Sequence, residues 1–244
     1  MREDALIDAL VELADALTDD FDLIDFLHLL AGRGASLLEA DAAGVLLAHA
    51  HSGLQVVASA DETPEVVELF HLQTGQGPGY DAWRTGSQVV WPDLRQAADR
   101  WPRLASAAAT AGVTAAFAVP MRLRDESIGV LSLFRATAGE PDARWTRTAK
   151  ALVDVATIGI LQATALRRPE VLVEELQAAI TSRVVLEQAK GFVSERLGVD
   201  LATAFTLLRD HARRHGLRLT DVARAVVTRR QGAGELLAGE PGPA

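Results

Sequence analysis

SRVVLEQAKGFVSERLGVDLATAFTLLRDHARRHGLRLTDVARAVV, residues 182–227, decides the fold of the last third of this protein. Its apolar residues recur every three to four positions, which is the period of amphipathic helices. Gly198 and Gly216 are typical of helix C-termini. Asp200 and Thr220 are typical of the N-caps of the helices that follow. The stretch therefore predicts three consecutive helices, the first covering about 170–197, that pack through their apolar sides.

The first of these helices contains a glycine that needs an explanation. Gly191 stands next to Lys190, one of only two lysines in the chain, and glycine costs a helix interior about 1 kcal/mol relative to alanine. We expect Gly191 to let another backbone approach closely, which would offset that cost. The helical spacing gives an inner, apolar set of side chains: Val185, Ala189, Phe192 and Leu197. It also gives an outer, polar set: Arg183, Glu187, Lys190 and Ser194.

The outer set has two interpretations. By spacing alone it is typical of a solvated stripe of ion pairs, each worth about 0.2–0.5 kcal/mol. It is also compatible with a binding surface on which Lys190 is held at a fixed height. The spacing itself does not decide between the two.

The charge of the chain changes sign along its length. The net charge is −9, yet residues 1–166 carry 23 acidic and 12 basic side chains, whereas residues 167–230 carry 8 acidic and 12 basic ones. Between residues 201 and 230 there are seven arginines and two aspartates. Such asymmetry indicates that the two parts of the chain have different partners.

Composition excludes several classes of chemistry. The chain is 49% hydrophobic and 23% charged and contains no cysteine, so disulfides, thiolate metal sites and cysteine nucleophiles are excluded. The acidic N-terminus lacks the features of a signal peptide. No run of about 18 apolar residues occurs, so we expect no membrane span. These observations favour a cytoplasmic globular protein.

The first two thirds of the chain alternate between helical and β-like periods. Helices are expected at 5–17, 18–38, 65–73 and 142–166, with Thr18 as the N-cap of the second. Strands are expected at 44–50, 54–60, 87–92, 116–123 and 127–134, and a loop at 75–79. We predict an α+β module in which helices precede, separate and follow the strands of an antiparallel sheet.

A proline marks the joint between the two regions. Arg168 precedes Pro169, and a residue before proline avoids the helical conformation, so a helix boundary is expected there. We place the first domain at 1–165, the three-helix domain at 166–230 and a mobile tail at 231–244.

The three-helix region resembles the ANTAR domain, the RNA-binding module of transcription antitermination regulators. Side-chain types match through all three helices and both loops, at Ser182-Arg183, Glu187 to Gly191, Ala204-Phe205, Leu208-Arg209 and Leu219 to Ala223. The earlier region resembles the GAF domain, an α+β sensor fold. Its matching features are the 44–60 hairpin, GQGPGYDAWRTG (75–86), Asp93-Leu94, Arg100-Trp101-Pro102, Gly112-Val113, Val119-Pro120 and Ile128 to Leu131. Together the two regions are similar to the GAF–ANTAR regulators of actinobacteria.

The ANTAR resemblance implies binding to RNA hairpins in leader transcripts, upstream of a terminator. Bound hairpins would disfavour the terminator stem, so transcription would continue. We predict RNA contacts from the basic side chains of this region: Arg183, Lys190, Arg209, Arg213, Arg214, Arg218 and Arg224. Phe205 is expected in the core. Two alternatives stay open: a DNA-binding regulator of helix-turn-helix type with a GAF sensor, and a module that only dimerises.

The GAF resemblance implies an unknown small-molecule or protein signal. A ligand would lie between the sheet and its covering helices, where the candidate residues are Phe70, Tyr80, Trp83, Trp91 and Trp101. For each of them a place in the core is the more usual role. Relatives often have cysteine where this chain has Gly79, so thiol-based sensing does not carry over. The 75–79 loop lacks the lysine of a P-loop. Positions on the hairpin surface or in the core are expected for His49, His51 and His71, and capping or surface roles for His211 and His215. We expect no metal, no cofactor and no enzymatic activity.

The N-terminal helices carry more apolar surface than one sheet face needs. The stripes lie within 5–17, 18–38 and 145–165. We predict a homodimer through parallel helices, which the first ANTAR helix would prolong with Leu172, Leu176, Ala179 and Ile180.

Overall fold

The structure is a computed structural model in which residues 2–17, 21–49, 53–60, 63–123, 126–165 and 169–228 are described. The sensor region contains the helices α1 (Arg2–Asp15), α2 (Leu23–Leu37), α3 (Pro64–Leu72), α4 (Pro78–Thr85), α5 (Pro102–Thr110) and α6 (Ala143–Ala165). Its strands are β1 (Ala42–His49), β2 (Gly53–Ser59), β3 (Val89–Trp91), β4 (Ala115–Leu123) and β5 (Glu126–Arg135). The last region consists of α7 (Pro169–Leu197), α8 (Leu201–His215) and α9 (Leu219–Thr228).

The five strands form one antiparallel sheet in the order β2-β1-β5-β4-β3. In the centre, Val45 of β1 pairs with Leu131 of β5, and Leu131 pairs with Val119 of β4. Because successive side chains of a strand point to opposite faces, this register sorts the apolar residues into two layers. The predicted antiparallel α+β architecture is confirmed.

Helices cover both faces of the sheet. Leu47 and Phe117 point into a core shared with α1, α2 and α6, whereas Leu46 and Phe134 point into a second core below α3, α4 and α5. Burial on both faces explains why β1 reads as a nearly continuous apolar run.

The start of α2 differs from the sequence-based prediction. The helix begins at Leu23, and its N-cap is Asp22 rather than Thr18. The Asp22 Oδ1 atom accepts hydrogen bonds from the backbone nitrogens of Ile24 at 2.9 Å and Asp25 at 3.3 Å. Two amide groups that the helix leaves without partners are thereby satisfied, which a cap at residue 18 could not achieve.

Two short helices were not predicted from the sequence. α4 occupies part of the predicted 75–79 loop, and α5 was not predicted. Each begins with a proline at its first position, Pro78 and Pro102, where the fixed φ of proline favours helix initiation. α3 is equally short but has large apolar residues at helical spacing, Val66, Leu69 and Phe70, whereas α4 (PGYDAWRT) and α5 (PRLASAAAT) have few such residues and give no clear apolar period.

The three C-terminal helices pack directly on the sensor region. α7 contacts β1, β2 and α2, and α9 contacts α2. Buried residues of both regions form one continuous apolar cluster, in which Leu186 and Val226 join Leu27 and Val57. The domain boundary predicted between residues 165 and 166 adjoins residues 166–168, which lie outside the described part of the chain. The predicted tail, 231–244, also lies outside it. Within the described ranges no helix is long and apolar enough to cross a membrane.

Candidate nucleic-acid interface

The three C-terminal helices form a bundle with well-defined ends. Asp200 caps α8 by accepting a hydrogen bond from the Thr203 nitrogen at 2.7 Å. Gly216 ends α8 in the left-handed conformation, and the Ser194 hydroxyl donates to the Val199 carbonyl at 2.6 Å. The inner side chains are fully or almost fully buried: Leu186, Ala189, Val193, Ala204, Leu208, Ala212, Leu219, Val222, Ala223 and Val226. The bundle therefore holds the side chains on its surface at defined positions.

A connected row of arginines follows α8 and the start of α9. Arg209, Arg213 and Arg218 line one open cleft of about 320 Å³. Arg218 Nε lies 2.8 Å from one Asp221 oxygen, and Arg224 Nη1 lies 3.9 Å from the other. We call Arg209, Arg213, Arg218 and Arg224 the arginine edge. Asp221 is shared by Arg218 and Arg224, and the cleft is also lined by acidic residues of the sensor region: Glu12, Asp15, Asp22 and Asp25.

Most of the arginine edge is accessible to a large ligand. The side chains of Arg213, Arg218 and Arg224 are 48%, 51% and 64% exposed. Arg214 is also exposed, and its Nε donates to the Asp210 carbonyl at 3.3 Å. Arg209 is half-buried and lies 5.6 Å from the ring centre of Phe205. Of the predicted RNA-binding residues on α8 and α9, those exposed as expected are therefore Arg213, Arg214, Arg218 and Arg224.

Lys190 is not on the outer surface of the protein, so that prediction is wrong. Its side chain is 1% exposed, and its Nζ lies 3.0 Å from Glu187 Oε1 and 5.9 Å from the ring centre of Phe205. Glu187 keeps 44% of its side chain exposed. The helical wheel locates the side of α7 that turns away from α8 and α9, but the sensor region covers much of that side. Lys190 is therefore buried between the three-helix bundle and the sensor region.

Arg183 and Leu197 also depart from their predicted positions. Arg183 is half-buried, and its Nη1 donates to the Val56 carbonyl of β2. The cation therefore faces the sensor sheet instead of solvent. Leu197 was predicted on the inner side but is 39% exposed, because it is the last residue of α7. Phe205 was expected in the bundle core; it is half-buried and stacks on His28 of α2, with ring centres 4.6 Å apart.

Gly191 does not provide the close helix approach that we predicted. It is exposed, and a Cβ built on it would meet no atom within 4 Å outside its own helix. Nothing in the packing explains the glycine.

Replacing Gly191 by alanine is expected to raise the free energy of unfolding by about 1 kcal/mol, because alanine gains helix propensity and meets open space. Urea unfolding of the full chain measures the change. The matched control is Gly198→Ala at the end of the same helix, where φ is +68°. Alanine there should destabilise by about 1–2 kcal/mol. Loss of stability in Gly191→Ala would contradict the open environment.

The junction between sensor and bundle is built on two aspartates that sequence reasoning missed. Asp22 Oδ2 accepts hydrogen bonds from both the backbone nitrogen and the hydroxyl of Thr220, each at 2.9 Å. Asp22 thus caps α2 with one oxygen and the first turn of α9 with the other. Asp25 Oδ2 lies 3.4 Å from Arg213 Nη2. The sequence signal for this contact is the pair Asp22 and Asp25 in the first region together with the arginines of α8.

Burial changes the titration of two groups at the junction. Burial raises the pKa of Asp25, although the nearby Arg213 acts in the opposite direction. Burial also lowers the pKa of His28 to about 4, and the charge of Lys190 contributes to this. His28 is therefore neutral at pH 7 and adds no second cation beside Lys190.

The five predicted aromatic ligand-binding residues lie in one layer, between the sheet and α3 to α5. Phe70 and Trp101 are buried, whereas Tyr80, Trp83 and Trp91 are half-buried. Phe70 packs on Phe134 with ring centres 5.1 Å apart, and Trp91 packs on Trp101 at 4.8 Å. These contacts are those of a packed core. Their role in ligand binding stays a prediction.

A buried glutamine in the same layer explains why residue 79 is glycine. Gln73 Oε1 accepts hydrogen bonds from the Gly79 nitrogen at 2.7 Å and the Ser132 hydroxyl at 2.9 Å. A Cβ on Gly79 would lie 2.6 Å from that oxygen. Gln73 thus occupies the space that a larger residue at position 79 would need.

Gly79→Ala is expected to destabilise the chain by about 1–3 kcal/mol, since the added carbon overpacks the layer and displaces Gln73. The matched control is Gly75→Ala in the preceding loop, where a Cβ meets no atom within 4 Å. That change should stay within about 0.5 kcal/mol. Thermal unfolding of both variants measures the difference, and equal stability would refute the crowding at Gly79.

Solved structures share the fold of the sensor region. The GAF domain from Acinetobacter phosphoenolpyruvate-protein phosphotransferase is 15% identical, with a TM-score of 0.51 over 65% of this chain and 94% of that one. The free methionine-R-sulfoxide reductase from Neisseria meningitidis in complex with its substrate is 17% identical, with a TM-score of 0.52 over 66% and 91%. The GAF domain from a Coxiella burnetii phosphoenolpyruvate-protein phosphotransferase is 15% identical, with a TM-score of 0.51 over 66% and 96%. At these identities the likeness defines a GAF fold.

The domain composition identifies the family. The family model of the GAF domain matches residues 22–166, and that of the ANTAR domain matches residues 174–227. The chain therefore belongs to the GAF–ANTAR regulators, which combine signal sensing with transcription regulation. The predicted fold class, a GAF domain followed by a helical ANTAR domain, is confirmed. The actinobacterial type stays a prediction. None of the curated proteins matches the chain significantly in sequence.

Proposed function

We propose that this GAF–ANTAR regulator is an RNA-binding transcription antiterminator that acts in the cytoplasm. Its ANTAR domain binds hairpins in leader transcripts upstream of terminators, and its GAF domain makes that binding depend on a signal. Binding the hairpins lowers the population of the competing terminator stem, so transcription continues. The proposal involves no covalent step, and the absence of cysteine excludes thiol chemistry in the chain.

The observation that carries the proposal is the arginine edge. It combines exposed guanidinium groups with the connected arrangement that a folded phosphate backbone requires. Guanidinium groups bind phosphate oxygens through two parallel hydrogen bonds. The edge belongs to the part of the chain, residues 167–230, that carries 12 basic and 8 acidic side chains although the net charge of the whole chain is −9, which favours an anionic partner for this part.

Hairpin loops suit this surface better than duplex DNA does. Sequence-specific readers of RNA engage unstacked bases in loops, because the deep groove of an RNA helix admits few side chains. Phosphate contacts along the arginine edge would supply affinity, and a few contacts to loop bases would supply specificity.

The GAF domain is proposed to receive a small-molecule or protein signal and to form a homodimer. Support for the dimer comes from exposed apolar side chains on two helices in mutual contact, Ile7 and Val11 on α1 and Ile158 on α6. A dimer would present two ANTAR domains to paired hairpins and raise the effective concentration of the second. Sedimentation of a monomer that binds paired hairpins with full affinity would argue against it. The side chains of residues 163–181, including the predicted stalk, lie outside the described part.

A competition experiment tests the proposed function. The full chain is mixed with a labelled RNA hairpin, and unlabelled hairpin RNA or duplex DNA is added as competitor. We expect the RNA hairpin to compete at least about tenfold better, which corresponds to 1.4 kcal/mol. Equal or better competition by the duplex would favour the alternative of a DNA-binding regulator. If the chain bound neither nucleic acid, the remaining alternative would be a module that only dimerises.

A further inference from the structure

The sensor-facing side of the ANTAR bundle carries cations of its own. Lys190 is 1% exposed, Arg183 donates to the Val56 carbonyl, and Arg209 is half-buried beside Phe205. A covered face of a helical bundle is ordinarily apolar, because burying a charge is unfavourable. Cations on such a face indicate that it is also used with another partner.

The sensor meets this face with carboxylates. Asp22 accepts hydrogen bonds from the nitrogen and the hydroxyl of Thr220, and Asp25 pairs with Arg213. An amide at a helix N-terminus, a hydroxyl and a guanidinium are the groups with which proteins hold phosphate. The two aspartates therefore occupy positions at which RNA phosphates would be bound.

The junction is incompletely satisfied. Asp25 Oδ1 and Arg209 Nε are both buried, and neither has a hydrogen-bond partner among the described residues. Both residues line the open cleft that also contains Arg213 and Arg218. A permanent interface leaves few such groups without partners, because each one is costly. These two atoms are the least satisfied part of the junction, which favours a contact that can open.

We propose that the sensor-facing side of the ANTAR domain, with Arg183, Lys190 and Arg209, is part of the RNA-binding surface, and that Asp22 and Asp25 compete with RNA phosphates for it. In the docked form RNA engages only the exposed part of the arginine edge. Separation of the domains adds the covered cations and tightens binding. The inference rests on the proposed RNA binding.

The decisive variant is Asp22→Ser in the full chain. Serine is a good N-cap, so α2 keeps its cap, but the shorter, neutral side chain releases Thr220. We expect hairpin RNA to bind about tenfold more tightly, as the loss of a charged hydrogen-bonding partner at the junction predicts. The matched control is Asp93→Ser, which makes the same change at an N-cap within the sensor, where Asp93 accepts from the Arg95 nitrogen. Its RNA affinity should equal that of the unmodified protein.

A second substitution tests whether the covered side contacts RNA. Lys190→Gln should weaken RNA binding about tenfold in the Asp22→Ser background, where the face is open, and less than about twofold in the unmodified chain. Asp25→Asn should also tighten RNA binding. Because it is an independent change at the same junction, it tests the competition even if one of the two aspartate variants folds poorly.

The outcomes separate the two proposals. If the unmodified protein binds the hairpin but Asp22→Ser and Asp25→Asn bind it no more tightly, the competition is refuted and the proposed function stands. If Lys190→Gln weakens both backgrounds equally, the face is already open and the competition is again refuted. If no form of the protein binds RNA, the proposed function fails and the inference fails with it.

Discussion

Replacing Arg218 and Arg224 together by glutamate is expected to lower the affinity for hairpin RNA by at least about 100-fold, because two phosphate contacts become repulsive. Both side chains are more than half exposed, and the ion pairs given above join both to the exposed carboxylate of Asp221, so the free energy of unfolding should fall by about 1 kcal/mol or less per site. Filter binding with labelled hairpin RNA measures the affinity, and thermal unfolding measures the stability.

The control for this charge reversal is Arg103→Glu on α5. That arginine is exposed, and α5 lies across the sheet from the ANTAR domain. Its RNA affinity should remain within about twofold of the unmodified protein, because Arg103 lies on the other face of the sheet and salt screens its charge. A double variant at 218 and 224 that binds as well as this control would remove the arginine edge from the RNA-binding surface.

Lys190→Glu is expected to destabilise the chain by about 3–5 kcal/mol, because a carboxylate would be buried next to Glu187 without a partner. Lys190→Met should stay within about 1.5 kcal/mol, since methionine fills a similar volume without a charge. Denaturant unfolding of the full chain distinguishes the two. Both variants remove the lysine charge, so a difference in stability between them measures the cost of burying the new carboxylate.

The other lysine of the chain supplies the control for Lys190→Glu. Lys150 on α6 is 69% exposed and pairs with Asp154 one turn away. Lys150→Glu should therefore cost about 1 kcal/mol or less, as exposed ion pairs do. Equal stability of Lys190→Glu and Lys150→Glu would show that Lys190 faces solvent, as the helical wheel alone had indicated.

The sequence predicted the elements whose apolar period is long and regular. α8 was located with its caps, Asp200 and Gly216, and α7 with its end before Gly198, because caps and apolar period are local properties. The strand pairs β1 with β2 and β4 with β5 were equally clear. The short helices α4 and α5 were missed because their sequences, PGYDAWRT and PRLASAAAT, contain few large apolar residues at helical spacing.

The sequence could not predict which residues are buried at the contact between the two domains. The apolar period of α7 distinguishes the side that meets α8 and α9 from the remaining sides, but it contains no information about α2 and β2. Lys190 and Arg183 were therefore assigned to solvent. Likewise, Asp22 lies about 200 residues from Thr220 in the chain, so no local pattern links them.

The salt dependence of RNA binding tests the central claim most directly. Each phosphate contact contributes about −0.7 to the slope of log K against log salt concentration for single-stranded nucleic acid, so the three exposed arginines of the edge, Arg213, Arg218 and Arg224, predict a slope of about −2. Arg218→Gln should make that slope less steep by about one contact and weaken binding to all hairpins alike. A slope near zero, or a slope that Arg218→Gln leaves unchanged, would contradict RNA binding through the arginine edge.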